Sequence, residues 1–82
     1  MKTMDKMFLQ VIALSVADVM QARFGLDKGM VETTANNTLL TLWEANAPLK
    51  DYPFVLASAI APRYHTCFKD TKEALSQLNF AA

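Results

Sequence analysis

Between Thr33 and Pro62, thirty consecutive residues carry only three charges: Glu44, Lys50 and Asp51. The solvated surface of a small monomer usually places both signs of charge at about a quarter to a third of its positions. Part of this stretch must therefore be covered, either by the rest of the chain or by another molecule. The chain has 82 residues to do the covering, enough for one small domain, and a domain of that size hides only about 60% of its chain surface. With 52% hydrophobic residues, it holds more apolar side chains than such a core readily absorbs.

The same composition removes several function classes. Eight Lys plus Arg balance eight Asp plus Glu, so neither a basic nucleic-acid binder nor an acidic nucleic-acid mimic is expected. The chain is too apolar for a disordered tail and too poor in Gly and Cys for collagen-like or disulfide-rich scaffolds. A single cysteine, Cys67, forms no intramolecular disulfide, and a reducing cytoplasm is the expected compartment. The first residues imitate a secretion signal, with Lys2, Lys6, an uncharged run from Met7 to Ala17 and a small-residue Ser15-Val16-Ala17. Asp5 in the basic region and Gln10 in the apolar run argue against one. That run of 11 residues is short of the ~20 that span a bilayer, so no membrane partner is expected.

Periodicity points to an all-α, compact four-helix domain over 1–82, with a long first helix and three shorter ones. Thr3 can cap a first helix running to Arg23 or Phe24, and Gly25 supplies the left-handed residue that ends it. Met4, Phe8, Val11, Ile12, Ser15, Val19 and Ala22 fall on one side of it, while Met7, Leu14, Val16 and Met20 widen the apolar arc. Only Lys6, Gln10, Ala17 and Gln21 form a polar strip, the pattern of a central helix covered by several neighbours or by a second chain. Residues 26–34 read as a loop. Ala35, Leu39, Leu42 and Trp43 share a stripe that predicts a second helix to about Asn46, ended by Ala47-Pro48. Tyr52-Pro53 predicts an extended residue followed by a third helix over 53–61, stopped by Pro62. Alternation over 64–68 admits a short extended segment; with no second strand to pair it, a loop is the reading. Asp70 and Glu73 have the spacing of a capping box before a last helix from Thr71 to about Asn79.

The inventory for chemistry is thin. His65 and Cys67 are the only residues of their types, two ligands where a structural zinc site needs four. A Cys-His nucleophile lacks a pocket or oxyanion donors in the sequence. Gly25 and Gly29 are not followed by the Lys-Ser or Lys-Thr of a phosphate loop. No catalysis, cofactor or metal is expected. Asp18 lies on the apolar arc of the first helix, where a carboxylate needs a partner such as Arg63, Lys50 or Tyr64, or a second molecule.

Phe24-Gly25-Leu26-Asp27, with Val31 and Ala35, resembles the end of the first helix and the following loop in acyl and peptidyl carrier proteins, which are also four-helix domains of about this length. That family's Asp-Ser-Leu, whose serine carries phosphopantetheine, has no counterpart here; the nearest fit is Ala47-Pro48-Leu49. The resemblance implies at most a carrier-like fold that binds an apolar molecule, among Met7, Val11, Met20, Leu39 and Leu56. The leading expectation is instead a non-catalytic protein that works through protein contacts, as a homo-oligomer, or as an adaptor or inhibitor of a larger partner. Trp43, Tyr52, Phe54, Tyr64 and Asp18 are its candidate contact residues.

Overall fold

A computed structural model describes residues 6–80 and contains four α-helices and, among the described residues, no strand. Helix α1 spans Lys6–Phe24 and α2 spans Lys28–Glu44. A 3₁₀ turn over Leu49–Asp51 leads into α3, Tyr52–Tyr64, and α4 covers Phe68–Ser76. The Thr3 cap lies outside the described residues.

The first turn forms as the sequence indicates. Gly25 adopts φ +67° and its N–H donates to the Gln21 carbonyl at 3.0 Å, closing the last turn of α1. Helix α2 then begins seven residues earlier than its apolar stripe suggested. The Asp27 carboxylate accepts from the Met30 N–H at 3.0 Å, which satisfies one of the N–H groups a helix start leaves without a partner. The threonines that made 26–34 look like a loop do not compete with the helix. Thr33, Thr34, Thr38 and Thr41 each return their hydroxyl to the carbonyl four residues back, and the backbone ladder continues beneath them. The buried stripe consequently extends back to Val31, through Ala35, Leu39 and Leu42.

Asn46 ends α2 in the left-handed region, with its N–H on the Trp43 carbonyl and that of Ala47 on Leu42, a Schellman arrangement followed by Pro48. Pro53 occupies the first turn of α3 as expected, but Pro62 does not stop the helix. Proline removes one N–H, here the bond to the Ser58 carbonyl, and both residues face solvent, so water can serve that carbonyl. The last turn is held from outside: the Tyr64 hydroxyl donates to the Met30 carbonyl at 3.0 Å. His65 then turns the chain at φ +60°. The segment 64–68 is thus the end of α3, a left-handed turn and the start of α4, not an extended strand. Helix α4 starts at Phe68, three residues before the expected Thr71, with Cys67 at its N-cap and no side-chain capping bond. Asp70 is not the cap; it sits in the first turn, where a negative charge suits the helix dipole. Thr71 is instead buried, its hydroxyl 2.7 Å from that of Thr66. The helix ends at Ser76 rather than near Asn79.

Helix α2 lies between α1 and α3, and α4 packs chiefly on α3 with a lesser contact to α1. Leu9, Ile12, Val16 and Met20 of α1 meet Val31 and Leu39 of α2, Leu56 and Ile60 of α3 and Leu75 of α4 in one core. The expected rotation of α1 is wrong by roughly a third of a turn, taking 100° per residue. Its buried face includes Ala13 and Ala17, both fully covered, although Ala17 belonged to the expected polar strip. Small side chains let a neighbouring helix approach, which a count of large apolar residues does not register. Nor is α1 central: it packs mainly on one neighbour and leaves its other side open.

Candidate contact surface

The open side of α1 carries Met7, Val11 and Leu14, exposed by 81%, 54% and 41%. Their spacing of four and three residues puts them on one line along the helix, and the next step of four reaches Asp18. Asp18 is therefore on an apolar arc, as its position in the sequence suggested, but on the outward one. Its carboxylate pairs with Lys28 Nζ at 2.7 Å across the Gly25 turn, not with Arg63, Lys50 or Tyr64. The hydrogen bond and charge of Asp18 push the Lys28 ammonium above the usual lysine range. Both groups remain largely in water, so the pair fixes an orientation more than it stabilises the fold. Gln10 and Gln21 flank the stripe on one side, Ser15 and Ala22 on the other.

The other candidate contact residues do not gather around this stripe. Tyr52 is a core residue, its ring 5.7 Å from that of Phe80, and burial raises its phenol above the usual tyrosine range. Trp43 is half-buried against the core. Tyr64 is an internal tie, bonded to Met30 and 2.7 Å from the Thr34 hydroxyl. Phe54 alone stands out as an exposed large apolar side chain, at 52%; its ring meets Phe68 edge-on at 5.4 Å, and Lys72 lies 5.8 Å from its centre. This second corner is already closed on one side by the lysine.

The charge-poor stretch is therefore covered largely from within, by α1 over α2 and by α4 over α3. Phe54 stays exposed within it, but the row of exposed apolar side chains emerges on α1, a helix the stretch does not include. Its signal was present in the sequence: an apolar arc on α1 too wide for one contact face, made of two stripes rather than one.

The residues named for an apolar ligand do not surround a common space. Met20, Leu39 and Leu56 are fully buried in the core, while Met7 and Val11 are outside. One groove between α1 and α2, floored by Leu9 and Leu40 and edged by Lys6, Gln10, Asn36 and Asn37, holds about 90 Å³, well short of the ~300 Å³ at which small-molecule pockets begin. Among the described residues no three His, Cys, Asp or Glu side chains come together. His65 and Cys67 are exposed on the turn before α4. Helix α1, at 19 residues, is long and apolar enough by length and composition to cross a membrane, more than the 11-residue run implied, but its inner face belongs to the core. The chain matches no protein-family model, no curated protein and no solved structure.

Proposed function

We propose that this protein is non-catalytic and acts by protein contact through the outer face of α1. One observation carries the reading: three large apolar side chains, Met7, Val11 and Leu14, lie in line on the outside of a folded domain whose core is already filled without them. A row along two helical turns is the form in which one helix presents itself to another. The contact serves a homo-oligomer, or an adaptor or inhibitor of a larger protein. A photo-crosslinking residue at position 7 or 11, introduced into the protein in its own cells, tests this. Protein adducts from these positions, absent from exposed position 50 on the Leu49–Asp51 turn, which packs only on α3, and lost when Leu14→Asp is added, are expected. Equal adducts from position 50, or none from position 7 or 11, reject the reading.

A further inference from the structure

We draw no further inference here: the strongest candidate, the outward stripe of Met7, Val11 and Leu14 along α1, is an unpartnered apolar face, and nothing in the structure shows what covers it.

Discussion

The two glycines of this chain should respond to the same substitution with opposite signs. Gly25 holds φ +67°, and a Cβ added there meets nothing within 4 Å, so the cost of Gly25→Ala is backbone strain alone. The left-handed region costs a non-glycine residue about 1–2 kcal/mol, and stiffening the unfolded chain returns about 0.4–1 kcal/mol. The expected loss is about 1 kcal/mol. Gly29 is the second residue of α2, with helical backbone, and its added Cβ would lie 3.5 Å from Asp27 Oδ1, an ordinary contact. Replacing a helical glycine by alanine is worth up to about 0.8–1 kcal/mol, somewhat less in a first turn. For a domain of this size each kcal/mol moves the melting temperature by about 4–8 °C. Thermal denaturation followed at 222 nm should therefore show Gly25→Ala melting several degrees below the parent and Gly29→Ala several degrees above. A Gly29→Ala protein that melts lower would mean that 28–34 is not helical and would refute the account of α2 given above.

Four further expectations follow from the packing. Leu56→Ala, at a fully buried site, should cost about 2–5 kcal/mol, a large part of the ~4–12 kcal/mol total for this length, and urea midpoints will register it; a loss under 1 kcal/mol contradicts the core. Tyr64→Phe removes the donor to Met30 and should cost about 0.5–1.5 kcal/mol, non-additively with Thr34→Val because the two hydroxyls touch; additive losses would deny the network. His65→Gly relieves a left-handed residue and should stabilise by up to about 1 kcal/mol, read as a higher melting temperature, whereas a lower one would give the imidazole a structural contact. Tyr52 has a folded-state pKa above its unfolded one because of burial, so its contribution is intact below about pH 10 and is lost as pH rises beyond it. Melting temperatures between pH 8 and 11 should fall more steeply for the parent than for Tyr52→Phe, the Lys28 effect being common to both; parallel curves would show that Tyr52 titrates unhindered.

Helix existence was legible in this sequence, and so were the endings set by a single residue's backbone, Gly25 above all. Two of the beginnings were not. Asp27 and Cys67 start helices, yet Gly29 and the threonines behind Asp27 carry low helix propensity, and nothing about Cys67 marks it as a cap. Pro62 misled for a related reason: the sequence shows the missing N–H but not the Tyr64 hydroxyl that holds the turn from another helix. The contact surface was half legible. The width of the apolar arc on α1 announced two faces, but which one turns inward depends on Ala13 and Ala17, whose small size is an asset only once α2 lies against them. The aromatics chosen as contact residues were chosen by type, and type does not distinguish a core ring such as Tyr52 from an exposed one such as Phe54.

The position of α2 between α1 and α3 sets an order of opening. The amide protons of Val31, Ala35, Leu39 and Leu42, whose residues are buried against the neighbouring helices, should exchange with deuterium at the rate of global unfolding. Those of α1 answer to fewer neighbours and should exchange through partial openings that leave α2 and α3 together. The helix that offers the exposed stripe would then also be the one most readily released, and a partner bound to its outer face would slow exchange along α1 first, before it altered protection anywhere else in the molecule.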